Sequence, residues 1–217
     1  MNPAAMLPSI SETNGLHCLT EKDKTIYSMG ISTGGAAEIR MAANHPKRHV
    51  IATTIDPVGA TYAKKQINSL GLSHQIEIKI EDVAEPLPYL EGYFDFLYAR
   101  LVLHYLPKKS LDLALHELFR ILKTGGKIFV VVRSTDCLEA QGKNARFDPE
   151  TGLTTYISEQ QSYSRYFHTE ESIQRHLVSA GFSIQYVKTY KEQLCVDFER
   201  TKLSKQIDSL IEVLAIK

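Results

Sequence analysis

The feature that most constrains this chain is a strand, a glycine-bearing turn and a helix near its start. An apolar run ends at Met29, and the turn Gly30-Ile31-Ser32-Thr33-Gly34-Gly35 leads into a strongly helix-forming stretch, residues 36–44. This order places free backbone N–H groups at a helix N-terminus beside a turn that a ligand can approach closely, which suits an anionic or nucleotide-like ligand. The glycines fit neither G-x-G-x-x-G nor a Walker A loop, so an ordinary tight turn explains them equally well.

Further strand-like segments alternate with helical ones after this unit. We predict these strands at residues 49–55, 75–80, 93–99 and 127–132, from β-branched, alternating or continuously apolar patterns. The helix that Pro107 opens keeps its leucines on one face and is predicted to end at Thr124-Gly125-Gly126. Strands that alternate with helices in this way predict an α/β fold with a doubly wound, mostly parallel sheet.

The pattern changes after Arg133. Residues 134–168 have no steady periodicity and many polar and aromatic side chains, so we predict a long functional loop or lid there. Thr169 then caps a helix that Gly181 ends. The last strands are predicted at residues 182–194 and 207–216, as an antiparallel pair at one edge of the sheet. Residues 1–23 are interpreted as a leader packed on the domain that follows, residues 24–217.

Composition excludes several classes of protein. The chain has 217 residues, enough for one α/β core, and its formal net charge of +0 gives no bulk attraction to nucleic acid or an anionic membrane. Its three cysteines lie far apart without a C-x-x-C motif, which favours reduced thiols in a cytoplasmic compartment and argues against a metal site. No signal peptide or membrane span is visible, and the sequence does not indicate an oligomeric state.

The chain resembles the class I S-adenosylmethionine-dependent methyltransferases, and most closely their small-molecule branch, over roughly residues 24–217. The segments that carry this resemblance are residues 28–34, residues 51–65 (IATTIDPVGATYAKK), Glu81-Asp82-Val83, residues 94–107 (FDFLYARLVLHYLP), residues 118–132 (LFRILKTGGKIFVVV) and residues 167–182 (FHTEESIQRHLVSAGF). The resemblance implies a seven-stranded, Rossmann-like sheet with an antiparallel final pair, and S-adenosyl-L-methionine as the cofactor. It also implies that residues 134–168 lie on the acceptor side.

The resemblance implies cofactor contacts at the ends of the first four strands. The residues concerned are Ser28, Gly30, Ser32, Gly34, Thr54, Asp56, Asp82, Val83, Ala99 and Arg100. Three of them depart from the family pattern: Ser28 replaces an acid, Ser32 replaces the middle glycine, and Thr54 stands where an acid holds the ribose. Asp56, two residues after Thr54, is either a ribose ligand or only the helix N-cap before Pro57.

No residue is assigned as catalytic, and His104, Tyr163 and His168 are weak candidates. Methyl transfer from a sulfonium mainly needs alignment and exclusion of water, with a base only where the nucleophile must lose a proton. We predict a methyltransferase acting on a small-molecule acceptor, with no nucleic acid or membrane partner. The alternative is a methyltransferase-fold protein that has lost catalysis and acts as a binding or regulatory partner. A nicotinamide-dependent reductase is disfavoured by the glycine spacing and by the end of the sheet.

Overall fold

The structure of the protein is a computed structural model that describes residues 7, 9–31, 33–157, 162–195 and 201–217. Its helices and strands, in chain order, are α1 (Ile10–His17), β1 (Thr25–Met29), α2 (Ala36–Ala43), β2 (His49–Thr54), α3 (Pro57–Ser69), β3 (Ile76–Ile80), β4 (Phe94–Arg100), α4 (Lys108–Ile121), β5 (Leu122–Arg133), β6 (Ala145–Phe147), β7 (Thr154–Ile157), β8 (Ser162–Arg165), α5 (Glu170–Ser179), β9 (Ser183–Glu192) and β10 (Asp208–Ile216). No helix in the described part of the chain has the length and apolar character that a bilayer span requires.

The large sheet has seven strands in the order β3-β2-β1-β4-β5-β10-β9. Strands β1 to β5 pair in parallel, whereas β10 runs antiparallel to both β5 and β9. The predicted doubly wound sheet with an antiparallel final pair is therefore confirmed. Because β1 to β5 are parallel, the carboxyl ends of β1 to β4 meet at one edge of the sheet, where ligands bind in open α/β folds.

Helices cover both faces of this sheet and bury two apolar clusters. On one face α4 and α5 contribute residues such as Leu115 and Leu177 to a cluster with the central strands. On the other face α2 and α3 contribute residues such as Met41 and Ile67. Burial on both faces explains why the central strands read as continuous apolar runs rather than as alternating ones.

The leader forms helix α1, which packs closely against the sheet. Gly15 allows this contact, because a Cβ there would lie 2.5 Å from the ring of Tyr98 and 2.7 Å from that of Phe129. Polar side chains fix the helix as well: Glu12 pairs with Arg40 of α2. Helix α1 is thus held against β4 and α2 in a position from which its N-terminal end reaches the carboxyl edge of the sheet.

Two boundaries differ from the sequence-based prediction. Helix α4 ends at Ile121, before Thr124-Gly125-Gly126, and β5 begins at once with Leu122. The prediction was late because Leu122 completes the apolar periodicity of the helix although its own backbone is already extended. Thr169 does cap α5, in a reciprocal capping box with Ser172.

Residues 134–168, which we name the lid segment, contain regular structure where a loop was predicted. Strands β6, β7 and β8 form a small antiparallel sheet of their own. Each has only three or four residues, too few for alternation to be visible in the sequence. The segment is joined to the core by a backbone hydrogen bond from Tyr166 N to His104 O of 2.7 Å, and by another from Lys108 N to Thr151 O of 2.8 Å.

Candidate functional site

A cavity of about 490 Å³ lies at the carboxyl edge of the sheet. Its wall includes residues from the ends of β1 to β4, from the start of α1 and from the connection between β9 and β10. The residues that line it are Ser9, Met29, Gly30, Ile31, Thr53, Thr54, Ile55, Glu81, Asp82, Val83, Arg100, Leu101, Val102, Tyr105, Leu106, Gln193, Leu194, Cys195 and Leu203. Most are apolar, with a few polar groups converging from the strand ends, as is typical of cofactor sites.

The glycine turn after β1 forms one side of this cavity. Gly30 has a φ of +66°, and a Cβ there would lie 3.0 Å from the side chain of Val102, so both its conformation and the close approach favour glycine. Gly34, with a φ of +74°, leads the chain into α2 but does not line the cavity. Ser32 lies outside the described residues.

Ser28 is fully buried beneath this turn and does not line the cavity. Its hydroxyl donates a 2.6 Å hydrogen bond to Glu38 Oε1, from the first turn of α2, and Glu38 is also fully buried. A carboxylate therefore lies beside the glycine turn although residue 28 is a serine. The sequence could not reveal this contact, since an acid in the first turn of a helix is ordinarily an exposed partner of the helix dipole.

The end of β2 separates Thr54 from Asp56. Thr54 lines the cavity, and its hydroxyl accepts the backbone N–H of Asp56 at 3.0 Å. Asp56 is exposed and caps α3 by accepting the N–H groups of Val58 (2.9 Å) and Gly59 (3.0 Å). Asp56 thus has the N-cap geometry and is not among the residues that line the cavity, although the adjacent Ile55 is.

The end of β3 brings a carboxylate into the wall that the predicted site residues did not include. Glu81 accepts hydrogen bonds from the phenols of Tyr27, at 3.1 Å, and of Tyr89, at 2.8 and 2.9 Å. Burial, together with this carboxylate, raises the pKa of both phenols, so they remain donors. Asp82 and Val83 line the cavity as well, and Asp82 Oδ1 accepts the N–H of Ala84 at 2.9 Å.

The end of β4 contributes Arg100 and the residues after it. Arg100 lines the cavity, whereas Ala99 is buried in the core and does not. Arg100 Nε donates to Ser11 Oγ at 2.7 Å, and its Nη2 donates to Ser9 Oγ at 2.8 Å. Leu101 follows with a φ of +58°, in the cavity wall. Such strain in a non-glycine residue clusters at ligand sites.

The wall opposite the strand ends comes from two segments that sequence reasoning did not assign to the site. These are Ser9, which caps α1, and the β9–β10 connection, which supplies Leu194 and Leu203. An isolated bridge between Cys195 and Leu203 closes this connection. None of the described residues of the lid segment lines the cavity. The connection has no motif, and only the position of β9 and β10 beside β5 brings it here.

None of the three weak catalytic candidates lines the cavity: Tyr163 and His168 belong to the lid segment, and His104 lies in the turn to which that segment is hydrogen-bonded. His104 is buried, and neither ring nitrogen has a hydrogen-bond partner in the described part of the chain. Burial, aided by the charges of Arg133 and Arg165, lowers the pKa of His104 well below its usual value. Burial also lowers the pKa of His168 to about 3, and Tyr163 donates to Glu139 Oε1 at 3.1 Å.

A network of paired charges surrounds these candidates. Arg133 pairs with Asp208, and also with Glu139 at 3.3 Å, while Arg165 pairs with the same Glu139 oxygen. Arg165 also stacks over the ring of Tyr163, 4.4 Å from its centroid. Each charge in this network thus has an opposite charge beside it. Within the described ranges no group of histidine, cysteine and acidic side chains is placed to hold a metal ion.

Comparison with known proteins bears on this site. A family model described as a methyltransferase domain matches residues 29–130, from the end of β1 into β5. A crystal structure of an S-adenosylmethionine-dependent methyltransferase from Methanosarcina mazei is 20% identical, with a TM-score of 0.69 over 93% of this chain and 96% of that chain. One from Mesorhizobium loti is 15% identical, with a TM-score of 0.67 over 100% of each chain.

The same fold also serves other chemistry. The cyclase SpnF is 19% identical, with a TM-score of 0.66 over 94% of this chain and 79% of that chain. Comparison with curated proteins finds no match. At these identities the solved structures show the fold, whereas the domain model matches the segments that form the glycine turn and the ends of β2, β3 and β4. Residues 29–130 therefore match a methyltransferase domain, and the chain as a whole has the fold of S-adenosylmethionine-dependent methyltransferases, enzymes whose cofactor is S-adenosyl-L-methionine.

Proposed function

We propose that this protein transfers the methyl group of S-adenosylmethionine to a small-molecule acceptor that enters the same cavity. The observation that carries the proposal is the composition of the cavity wall. One side is built from the ends of β1 to β4, where the family match lies, and the other is built from Leu194, Leu203 and Tyr105. A single cavity thus joins a cofactor side to an apolar side on which a second molecule can pack.

The residues present fit the cofactor. A volume of about 490 Å³ is in the range of cofactor sites. The turn at Gly30 and Ile31 would hold the amino-acid part through the backbone, Val83 and Val102 offer apolar contact to the base, and Glu81 supplies an acceptor for hydroxyl or amine donors. The bound cofactor supplies an electrophilic methyl group on a sulfonium.

The contribution of the chain itself is orientation and exclusion of water. Tyr27 and Tyr89 hold the Glu81 carboxylate in one orientation, so no reorganisation is needed when a donor arrives. Among the described residues that line the cavity there is no histidine, and the buried His104 stays neutral under the lid segment. We therefore propose that no side chain acts as an obligatory base, and that acceptors with an already reactive lone pair are favoured.

The acceptor side is proposed to include the lid segment as a support rather than as a wall. Its backbone bond to His104 O fixes the short turn from Leu103 to Tyr105, and Tyr105 lines the cavity. A small molecule is favoured over a nucleic acid or a protein segment because the start of α1 and the β9–β10 connection cover the edge of the sheet. The net charge of +0 agrees with this choice.

The rival function, a fold that has lost its cofactor, depends on Ser28 and Thr54. Against it, the cavity wall carries the carboxylates of Glu81 and Asp82, and Glu38 places a third carboxylate beside Ser28. Calorimetry with S-adenosylhomocysteine separates the two functions. Saturable binding at micromolar to millimolar concentration is expected for a methyltransferase, and no heat at millimolar ligand would contradict our proposal.

A matched pair of variants locates the binding. Val102→Phe adds bulk inside the cavity and is expected to weaken S-adenosylhomocysteine binding by at least about 10-fold, as overpacking of a filled site does. Val58→Phe adds the same bulk at an exposed position of α3, outside the cavity wall, and is expected to leave binding unchanged. Equal affinities for the two variants would place the cofactor elsewhere. Release of S-adenosylhomocysteine from S-adenosylmethionine in a screen of small molecules then identifies the acceptor.

A further inference from the structure

Arg100 is a buried cation in the wall of the cavity. Only 6% of its surface is exposed, and it lies at the end of β4, the strand paired with β1. Its partners are two neutral hydroxyls, those of Ser9 and Ser11. These hydroxyls fix Nε and Nη2 on the side of α1, so the orientation of the guanidinium is set before any ligand arrives.

Arg100 forms no ion pair among the residues that the structure describes. The other arginine buried to this degree, Arg48, forms none either, but it donates to three backbone carbonyl oxygens at 2.8 to 3.0 Å and does not line the cavity. Glu192 shares Ser11 with it, yet its carboxylate accepts the backbone N–H of Ser11, at 3.2 and 3.3 Å, and does not pair with Arg100. A cation taken out of water without a counter-charge is unfavourable, so a site of this kind is completed by an anion.

We propose that Arg100 is the receptor for a carboxylate group inside the cavity. The planar guanidinium presents parallel N–H donors that match the two oxygens of a carboxylate, and a charge-assisted bond of this type is strong in a water-poor site. The carboxylate comes either from the amino-acid end of the cofactor or from the acceptor. The inference rests on the proposed function, since both sources are ligands of the same cavity.

A consequence follows for helix α1. Ser9 caps α1 by accepting the N–H of Glu12 at 3.3 Å, and it also accepts from Arg100. The same hydroxyl therefore connects the helix terminus to the carboxylate receptor. Arg100 is a binding residue in this proposal, and anchoring of α1 is the purely structural alternative that a test must separate from it.

The experiment compares two adenosyl ligands by calorimetry. S-adenosylhomocysteine carries the amino-acid carboxylate, whereas 5′-methylthioadenosine has the same adenosyl thioether without it. If the cofactor supplies the carboxylate, Arg100→Gln weakens S-adenosylhomocysteine about 10- to 100-fold, the range for a charge-assisted hydrogen bond, and changes methylthioadenosine less than 3-fold. Arg100→Lys keeps the charge but lacks the parallel N–H donors, so it is expected to lose an intermediate amount of affinity for S-adenosylhomocysteine. This variant replaces Arg100→Gln in the test if Arg100→Gln does not fold.

If the acceptor supplies the carboxylate, both adenosyl ligands bind Arg100→Gln as they bind the wild type. The probe is then benzoate against benzamide, titrated into the protein saturated with S-adenosylhomocysteine. The wild type is expected to prefer benzoate by at least about 10-fold, and Arg100→Gln is expected to lose this preference.

The control for anchoring is Ser11→Ala, which removes a partner of Arg100 but leaves its charge. A loss in Ser11→Ala equal to that in Arg100→Gln would overturn the inference, as would equal losses for both adenosyl ligands. It is also overturned if Arg100→Gln binds S-adenosylhomocysteine normally and the wild type does not prefer benzoate. A wild type that binds neither adenosyl ligand contradicts the proposed function itself, and the inference with it. If the wild type binds methylthioadenosine, the proposed adenosyl site is still supported, whatever the Arg100 variants show.

Discussion

Two buried polar regions lie beside each other at the carboxyl edge of this sheet. They differ in whether the chain itself supplies a carboxylate beside each arginine. Under the lid segment, Arg133 and Arg165 are neutralised by Glu139 and Asp208. In the cavity wall, Arg100 has only hydroxyl partners among the described residues. The first region is complete within the chain, whereas the second acquires its counter-charge only from a ligand.

This difference in charge balance separates residues that stabilise the fold from residues that face the cavity. The histidines and the tyrosine that look catalytic in the sequence belong to the neutralised region, which holds the lid segment on the core. The residues that face the cavity are less conspicuous ones, such as Glu81 and Arg100. A titratable side chain is a poor guide by itself, and the balance of charge around it is more informative.

The comparison is tested most strongly by the same substitution in the two regions. Arg133→Met leaves Asp208 without its cation and Glu139 with Arg165 alone, and we expect the free energy of unfolding to fall by about 3–5 kcal/mol. Arg100→Met in the ligand-free protein leaves no carboxylate unpaired, so the expected loss is below about 2 kcal/mol, the cost of lost packing and hydroxyl partners. Urea unfolding measures both. Equal losses would mean that the two regions do not differ in charge balance.

The next effect concerns the carboxylate beside the glycine turn. Restoring the family's acid with Ser28→Asp puts a second carboxylate against Glu38 in a fully buried site, and we expect stability to fall by about 3 kcal/mol. The double variant Ser28→Asp with Glu38→Gln removes one of the two charges and should recover most of the loss, which a double-mutant cycle by urea unfolding would show. If Ser28→Asp alone raises the free energy of unfolding, Glu38 does not supply the carboxylate of this turn.

Acid should weaken the neutralised region in particular. The pKa of His104 is well below its usual value and that of His168 is about 3, so the unfolded chain, with a histidine pKa of about 6.5, binds protons more readily than the folded one. The contribution of these histidines to stability is complete above about pH 6.5 and declines as the pH falls below it. We expect a loss of about 2 kcal/mol from His168 between pH 7 and pH 5, and a further loss in the same direction from His104.

His168→Asn provides the control for this pH dependence. The amide can keep the contact with Ser172 Oγ, which His168 Nδ1 makes at 3.0 Å, but it does not titrate. The loss of stability between pH 7 and pH 5, measured by urea unfolding, should therefore be smaller than in the wild type by about 2 kcal/mol. An unchanged loss would show that groups other than His168 dominate the acid sensitivity.

The smallest expected effect concerns Gly30 in the cavity wall, compared with Gly71, which lies outside that wall. Gly30→Ala and Gly71→Ala introduce a methyl group at nearly the same left-handed φ, +66° and +69°. At Gly71 nothing lies within 4 Å, so only the backbone penalty of about 1 kcal/mol applies. At Gly30 the new methyl group meets Val102 at 3.0 Å, which should add about 1 kcal/mol and lower S-adenosylhomocysteine affinity. The same cost at both positions, with unchanged affinity, would remove Gly30 from the site.

Much of the fold could be predicted because patterns of neighbouring residues determine where its strands and helix caps lie. The apolar runs at β1, β2 and β4 and the caps Asp56 and Thr169 lie within a residue or two of their predicted places, whereas β5 begins five residues earlier than predicted. These signals depend on neighbouring residues only. The short strands β6 to β8 were missed because three or four residues do not establish a period, and the end of α4 was placed late because Leu122 continues the apolar pattern of the helix.

The candidate site was predicted less completely, for a physical reason. Gly30, Thr54, Asp82, Val83 and Arg100 were named and do line the cavity, since each follows or ends a parallel strand. The sequence does not reveal that Ser28 contacts the carboxylate of Glu38, or that two phenols contact Glu81. The folded backbone brings these groups together, and no local pattern marks them.

By itself, the sequence determined that helices and strands alternate, where they are capped and that a glycine turn opens the first βα unit, because each of these depends on the conformational preferences of adjacent residues. Tertiary structure alone decided which charges are balanced. Arg100 and Ser9 are 91 positions apart, and Arg133 and Asp208 are 75 apart. Their meeting follows from the order β4-β5-β10 and from the packing of α1, so the charge that the chain neutralises and the charge that it leaves for a ligand become distinguishable only in the folded protein.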